Sequence, residues 1–132
     1  EDTPIEAGLN FAVAYDKPGG FIGRDALLRQ RDLGPPRKRL VQVSLNGSAN
    51  APYLHHDDPL RRGGEIVGSI TSGAYGHRVG ASLGMGYVTH HDGVTKDFLQ
   101  SGNWEVEVAC DRFPVQVQLG PWFDPKNTRI RA

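Results

Sequence analysis

The feature that most constrains the fold is a pair of alternating segments near the C-terminal end of the sequence. In both, apolar residues take every second position: Trp104, Val106 and Val108 in the first, then Phe113, Val115, Val117 and Leu119 in the second. A period of two places these side chains on one face of a β-strand. The short connection Cys110-Asp111-Arg112 predicts that the two strands form a hairpin, and Pro114 is tolerated only at an edge or at a strand start.

Further short strands are predicted upstream of this hairpin. The apolar or alternating segments are 39–45, 65–70 and 83–88, and Arg61-Arg62-Gly63-Gly64 is a hairpin signal before the second of them. Turn-forming residues predict a loop over 46–59, and the glycines of 71–80 predict an ordered but irregular loop there. Five or six short strands with frequent turns favour a small β-sandwich or β-barrel.

One short helix is predicted ahead of the strands. Arg24 to Arg31 contains mostly helix formers, with Asp25 in the first turn, and Gly34-Pro35-Pro36 ends the pattern. We place the domain boundary at this Gly-Pro-Pro. Residues 1–36 then form a leader with one short helix, and residues 37–132 form the β unit.

Charge and composition exclude several classes of protein. Lys and Arg total 15, Asp and Glu total 15, and the pI is about 7.2, which argues against a nucleic-acid surface and a polybasic membrane surface. No apolar run approaches the ~20 residues of a membrane span. A single cysteine, Cys110, excludes an internal disulfide and a cysteine-based zinc cage. The chain opens at Glu1-Asp2-Thr3-Pro4 without methionine or signal peptide, which favours a piece of a longer polypeptide.

Three motifs could carry chemistry, and each also has a structural interpretation. The tracts His55-His56-Asp57-Asp58 and His90-His91-Asp92 contain metal ligands, but adjacent residues on an extended chain point in opposite directions, so solvated loops are favoured. Cys110 could be a nucleophile, although a free cysteine usually behaves as a small buried hydrophobe. The segment 73–80 could cradle phosphate, but it lacks the Lys-Ser/Thr end of a P-loop, and a shaped loop with Tyr75 at a pocket rim is favoured.

A second set of candidates consists of charged residues. Glu6 lies among apolar residues, where its carboxylate either caps local backbone or accepts hydrogen bonds from ligand N–H groups, and the residues alone leave both alternatives open. Arg39, at the start of a strand, and Arg129 and Arg131, at the end of the chain, either solvate an edge or pair with a carboxylate. No carboxylate pair and no Ser-His-Asp spacing assembles a catalytic set.

Five motifs also occur in a recognisable order: Thr3–Leu9, Phe21–Leu27, Arg39–Val41, Gly68–Gly73 and Leu83–Val88. Together they resemble the aminomethyltransferase (glycine-cleavage T-protein) family over essentially the whole chain. Ala74-Tyr75-Gly76-His77 and the ending Phe123–Arg131 are most similar to the C-terminal region of dimethylglycine and sarcosine dehydrogenases. The resemblance implies a mainly β fold, a small six-stranded Greek-key-type β-barrel preceded by a short α-containing leader.

The resemblance also implies a function and a set of site residues. The module would transfer one-carbon units with tetrahydrofolate, in a parent flavoprotein that demethylates N-methylated glycine-type amines and binds FAD upstream of this chain. Glu6 would accept hydrogen bonds from pterin N–H groups, Arg39 would contact the folate tail, Arg129 or Arg131 would serve similarly, and Tyr75 would line the cofactor site. The catalytic aspartate of the family lies upstream, so this chain is expected to hold no catalytic residue and no metal, and to be inactive when isolated.

The implied partners are folate and the upstream domains of the same polypeptide, with no nucleic acid and no membrane, in a bacterial cytoplasm or a mitochondrial matrix. Two alternatives stay open. One is the C-terminal domain of a glycine-cleavage aminomethyltransferase, which carries no flavin. The other is a non-catalytic binding or assembly barrel. A folate-dependent demethylase of sulfur or oxygen methyl groups is a further option.

Overall fold

The structure, a computed structural model, describes residues 2–45 and 51–131. A 3-10 turn at Asn10–Ala12 and two helices accompany six strands. The helices are α1 (Arg24–Asp32) and α2 (Lys96–Gln100), and the strands are β1 (Lys38–Leu45), β2 (Pro59–Arg62), β3 (Glu65–Gly76), β4 (Ala81–Thr89), β5 (Trp104–Val108) and β6 (Asp111–Gln118). No helix in the described part of the chain is long and apolar enough to cross a membrane.

The six strands close into an antiparallel barrel in the order β1-β4-β3-β2-β5-β6, with β6 pairing back to β1. Strands β2, β3 and β4 are connected as successive hairpins, and β4, the last of them, pairs with β1, the strand that precedes all three. This is the Greek-key arrangement. The predicted mainly β fold with a six-stranded Greek-key barrel is therefore confirmed. Closure removes the free sheet edges that would otherwise invite pairing with other chains.

Alternating side chains from the strands fill the barrel and form its core. The residues without exposed surface are Val41, Val43, Leu60, Ile70, Val88 and Val106. In β5 the burial pattern alternates strictly, with the side chains of Trp104, Val106 and Val108 inside. Burying one such side chain stabilises a fold by about 1.5–3 kcal/mol, so this set supplies the main driving force for closing the barrel.

The irregular loop predicted over 71–80 is wrong, because β3 continues to Gly76 and only a short turn separates it from β4. Two of the three glycines that suggested a loop, Gly73 and Gly76, lie in β3 at close contacts, whereas Gly80, with a φ of 77°, lies in the turn. A Cβ added at Gly73 would lie 2.1 Å from the backbone oxygen of Leu54, so the chain that crosses here leaves room for glycine alone. A register shift between Ile70 and Ser72 marks a bulge in the same strand.

The hairpin predicted from the alternating segments is present, and its turn is tighter than expected. Ala109 and Cys110 both have positive φ, 51° and 71°, as in the two-residue turns that match the strand twist. Cys110 is exposed at this turn, so its interpretation as a small buried hydrophobe is wrong. Pro114 pairs with Glu105 but lies outside the stretch where β6 also pairs with β1, which suits its missing N–H.

Helix α2 was not predicted from the sequence. It is five residues long, and its N-cap is Thr95, whose hydroxyl accepts a hydrogen bond from the N–H of Phe98 at 3.1 Å. Phe98 and Leu99 are buried against the barrel, where the Trp104 indole donates to the Leu99 carbonyl oxygen at 2.9 Å. Tertiary packing, rather than local propensity, therefore holds this short helix.

The structure describes residues 2–36 of the leader, which precede the barrel. The predicted helix over Arg24–Arg31 is present as α1 and extends to Asp32, with none of its residues buried. Within the leader Ile5 is the one described hydrophobic residue that belongs to the buried set. The leader thus contributes one side chain, Ile5, to the buried set, and its last residues are hydrogen-bonded to the turn after β4, where the Val94 N–H donates to the Pro36 carbonyl oxygen at 2.9 Å.

Candidate functional site

Glu6 lies in a turn of the leader that it helps to hold together. Its Oε2 atom accepts hydrogen bonds from the backbone N–H of Thr3 at 2.8 Å and from the Thr3 hydroxyl at 3.0 Å. The Thr3 hydroxyl in turn accepts from the Glu6 N–H at 3.3 Å, which is the reciprocal pattern of a capping box. Of the two interpretations left open by the sequence, local capping is present. A carboxylate has room for further donors, and Oε1 makes no hydrogen bond within residues 2–45 and 51–131.

Arg39 connects this turn to the first strand of the barrel. Its Nη1 donates to the Ile5 carbonyl oxygen, and the next residue, Leu40, donates its backbone N–H to the Glu6 carbonyl oxygen at 2.8 Å. A Cβ added at Gly8 would lie 3.6 Å from Arg39 Nη2, so the guanidinium lies against the turn. The structure therefore brings Glu6 and Arg39, which are 33 positions apart in the sequence, to one surface.

Partial burial lowers the pKa of the Arg39 guanidinium by desolvation. The group remains charged at neutral pH, because an arginine pKa lies far above that range. Its other N–H groups make no hydrogen bond to the described residues. The surface thus combines a carboxylate oxygen that can accept hydrogen bonds with a guanidinium fork that can pair with an anion.

Lys38, Asp2 and Tyr87 extend this surface and were not predicted. Lys38 Nζ donates to Asp2 Oδ1, and the ammonium lies 4.6 Å from the centroid of the Tyr87 ring. The hydrogen bond between the two charged groups raises the pKa of Lys38 and lowers the pKa of Asp2, while burial raises the pKa of Tyr87. No sequence signal links Asp2 to Lys38, since the contact exists only once the leader folds back onto β1.

Tyr75 and Arg129 lie elsewhere, around the turn between β3 and β4. The Tyr75 side chain is partly exposed, and its ring meets the His77 ring edge-to-face at 5.0 Å between centroids. Arg129 lies over the Phe123 ring, 5.3 Å from its centroid, and lines a cavity of about 460 Å³ together with Arg78.

The C-terminal segment that carries Arg129 and Arg131 is held by Asp124. One oxygen of Asp124 accepts from the backbone N–H and hydroxyl of Thr128 at 2.8 and 3.0 Å, and the other accepts from the Arg129 N–H at 3.0 Å. Desolvation alone would raise the pKa of Asp124, but these hydrogen bonds outweigh it and lower the pKa. Arg131 is exposed and makes no hydrogen bond or ion pair to the described residues.

The structure does not gather the five site residues predicted from the sequence at one place. Arg39 pairs in register with Val88, and Tyr75 pairs with Ser82, six positions away along β4. At about 3.3 Å per residue Arg39 and Tyr75 are roughly 20 Å apart, toward opposite ends of the barrel. Only Glu6 and Arg39 are brought together at one surface.

Comparison with known proteins gives the same architecture. Residues 38–124 match the family described as the glycine cleavage T-protein C-terminal barrel domain. The fold also matches the crystal structure of glycine cleavage system aminomethyltransferase T from Bartonella henselae, with a TM-score of 0.71 and 22% identity, over 95% of this chain and 33% of the other. At that identity the match concerns the fold alone.

Three curated relatives match nearly the whole chain. The chain is 38% identical over 131 residues to 4-methylaminobutanoate oxidase (formaldehyde-forming) of Paenarthrobacter nicotinovorans, 32% over 134 residues to human mitochondrial sarcosine dehydrogenase, and 43% over 127 residues to aminomethyltransferase of Rubrobacter xylanophilus. The alignments cover 99%, 100% and 96% of this chain. They span 15%, 14% and 31% of the length of these relatives.

Proposed function

The chain belongs to the glycine cleavage T-protein C-terminal barrel family, and on this premise we propose that it is the C-terminal part of a tetrahydrofolate-dependent one-carbon transfer module. The parent in this proposal is a flavin-dependent dehydrogenase that demethylates N-methylated, glycine-type amines. The chain itself contributes part of the wall of the folate site. The upstream domains of the same polypeptide supply the catalytic group and hold the flavin.

The observation that carries the proposal is the surface shared by Glu6 and Arg39. Glu6 Oε1 is left to accept hydrogen bonds from the N–H groups of a pterin, and the Arg39 guanidinium keeps donors for an anionic carboxylate. Both chemistries are ones that a folate can use, since it carries pterin N–H donors and an anionic glutamyl tail as well as the nitrogens that receive the one-carbon unit. Tyr75, Arg129 and Arg131 remain predictions, because a ligand held at Glu6 and Arg39 reaches them only if it extends along the barrel.

The names of the relatives favour a demethylating parent. The oxidase and the dehydrogenase are each named for an N-methylated amine, and both align with at least 99% of this chain. The aminomethyltransferase is a second candidate, because it is more similar over the aligned residues, at 43% identity. The two candidates share the folate chemistry and differ in whether the parent contains flavin.

The folate role is tested by titrating tetrahydrofolate, without oxygen, into the full-length polypeptide that contains this chain. Isothermal titration calorimetry would compare the parent with Arg39→Gln, Glu6→Gln and the control Arg29→Gln, whose arginine is exposed on α1. We expect Arg39→Gln to weaken binding about tenfold or more, since a hydrogen bond to a charged group contributes about 1.5–3 kcal/mol. Glu6→Gln leaves the Arg39–Ile5 contact in place. It is also expected to weaken tetrahydrofolate binding, and this loss would report on the carboxylate alone.

The control variant should bind like the parent. Equal affinity in all four proteins would contradict the assignment of folate to this surface. The visible absorption spectrum of the full-length polypeptide then separates the two candidates: a flavin band supports the dehydrogenase, and a colourless protein supports the aminomethyltransferase. The isolated chain should show no turnover of a methylated amine with added flavin and folate, and measurable turnover would overturn the division of roles.

A further inference from the structure

The turn after β4 brings three consecutive metal-ligating side chains together. His90, His91 and Asp92 each offer one ligand atom, and these atoms all lie within 4.8 Å of one another. The sequence predicted the opposite, because neighbours on an extended strand diverge. The chain is not extended here, since the Gly93 N–H donates to the His90 carbonyl oxygen at 3.1 Å and Gly93 has a φ of 91°. This turn reverses the direction of the chain and gathers the side chains.

The His90 ring is held in place before any ligand arrives. It stacks on Phe98, with 4.1 Å between ring centroids, and its Nδ1 lies 3.2 Å from the Gly93 carbonyl oxygen. A proton on Nδ1 makes that hydrogen bond and leaves the lone pair on Nε2, as in metal-bound imidazoles whose second nitrogen donates to a carbonyl. His91 and Asp92 are exposed, so their side chains are free to adjust.

The distances are within reach of a small divalent ion. Zn²⁺ lies about 2.0–2.2 Å from histidine nitrogen and carboxylate oxygen, so at the tetrahedral angle two ligand atoms of one ion are about 3.4 Å apart. Ligand atoms that now lie up to 4.8 Å apart must therefore approach by about 1.4 Å at most, which the exposed side chains of His91 and Asp92 can do by rotating. At present His91 Nε2 and Asp92 Oδ2 are 2.8 Å apart, and the ion would replace this contact. Arg37 and Lys38 line one cavity together with His90 and His91. Lys38 is already paired with Asp2, which leaves Arg37 as the main opposing charge.

We propose that His90, His91 and Asp92 form a surface site for Zn²⁺ or a similar late first-row divalent ion, with water completing the coordination. Two nitrogens and one carboxylate oxygen suit such ions better than Mg²⁺ or Ca²⁺, which take oxygen ligands. The same turn is bound to the end of the leader, because the N–H groups of His90 and Val94 donate to the carbonyl oxygens of Arg37 and Pro36. A bound ion would therefore brace the junction between the leader and the barrel.

The sequence offers a matched control in its second His/Asp tract. In residues 55–58 the Asp58 carboxylate accepts the His55 N–H at 2.7 Å, and the His56 ring lies against the Thr71 carbonyl oxygen at 2.9 Å. These contacts leave no group of three converging ligands there within the described part of the chain. His56→Gln therefore removes an equally exposed histidine without touching the proposed site.

The test titrates Zn²⁺ into the 132-residue chain and follows calorimetric heat and the imidazole nitrogen resonances of its five histidines. We expect selective shifts of His90 and His91, and affinity at least tenfold weaker in His91→Gln and in Asp92→Asn. His56→Gln and Cys110→Ser should bind like the parent, and Ca²⁺ should give no shift. Shifts centred on His55 and His56, loss of binding in Cys110→Ser, or unchanged affinity in both site variants would each overturn the proposal. None of these outcomes depends on folate, so the proposed function stands or falls separately.

Discussion

The leader and the barrel differ in where they place their apolar side chains. In the barrel, Leu60 and Ile70 have no exposed surface. In the leader, Phe11 and Leu33 are each 87% exposed and Ile22 is completely exposed. The barrel therefore has a core of its own, whereas the leader presents its apolar side chains outward. Exposed apolar residues gathered in one segment are typical of a surface that another protein segment covers.

This difference shows that the two regions are ordered for different reasons. The barrel is closed by strand pairing and by apolar burial, both of which lie within the chain. Helix α1 is nine residues long with none buried, which is shorter than the length at which isolated helices are stable in water. The leader is held instead by its hydrogen bonds to β1 and to the turn after β4.

The largest expected effect is on the free energy of unfolding, and it is measured by replacing one leucine of the barrel and one leucine of the leader. Leu60→Ala should lower the free energy of unfolding by about 2–5 kcal/mol, because it removes a fully buried side chain and leaves a cavity. Leu33→Ala makes the same chemical change on an exposed side chain and should alter it by about 0.5 kcal/mol or less. Urea denaturation measures both. Comparable losses in the two variants would mean that the leader contributes its own core to the stability of the isolated chain.

The contrast also explains how much of the fold could be predicted. Alternation identified the buried faces of β1 and β5 correctly, because a period of two reports directly on which side of a strand is covered. The end of β3 was missed because Gly73 was interpreted as a turn residue. It is glycine because the backbone of Leu54 passes so close to it that no Cβ would fit. Helix α2 was missed because two buried residues hold it, and five residues give too short a pattern to recognise.

The candidate site was predictable only in part, for a related reason. Resemblance supplied Glu6 and Arg39, and the structure brings them to one surface through hydrogen bonds to the Ile5 and Glu6 carbonyl oxygens. Backbone acceptors carry no side-chain signature, so the sequence alone could not pair these residues. The contact between the Asp2 and Lys38 side chains could not be predicted either, because it forms only where the path of the leader brings them together.

A smaller effect should appear where the leader meets the barrel. Arg39→Gln removes the charged donor to Ile5, and Arg37→Gln is the matched control, because Arg37 is exposed and makes no side-chain hydrogen bond or ion pair to the described residues. We expect local opening of the turn in Arg39→Gln to become easier by about 1.5–3 kcal/mol. Amide exchange of Leu40, whose N–H donates to Glu6, measures this opening. Exchange that is equally slow in both variants would show that the turn is held without Arg39.

The smallest effect concerns the first residues of the leader and depends on pH. The hydrogen bond from Lys38 lowers the pKa of Asp2 below the ordinary aspartate value of 3.8, so this contact stabilises the folded leader above that pH and is lost as the pH falls through the lowered pKa. A carboxyl-detected NMR titration should therefore place the midpoint of Asp2 below 3.8 in the parent and back in the ordinary range in Lys38→Met. Lys17→Met, which removes an exposed lysine elsewhere in the leader, should leave the midpoint unchanged. High salt should reduce the difference between the Asp2 midpoints of the parent and Lys38→Met, because solvent-exposed charge pairs are screened. An Asp2 midpoint that is the same with and without Lys38 would mean that this ion pair does not hold the first residues of the leader to β1, and that the hydrogen bonds at Ile5 and Glu6 hold the leader there without it.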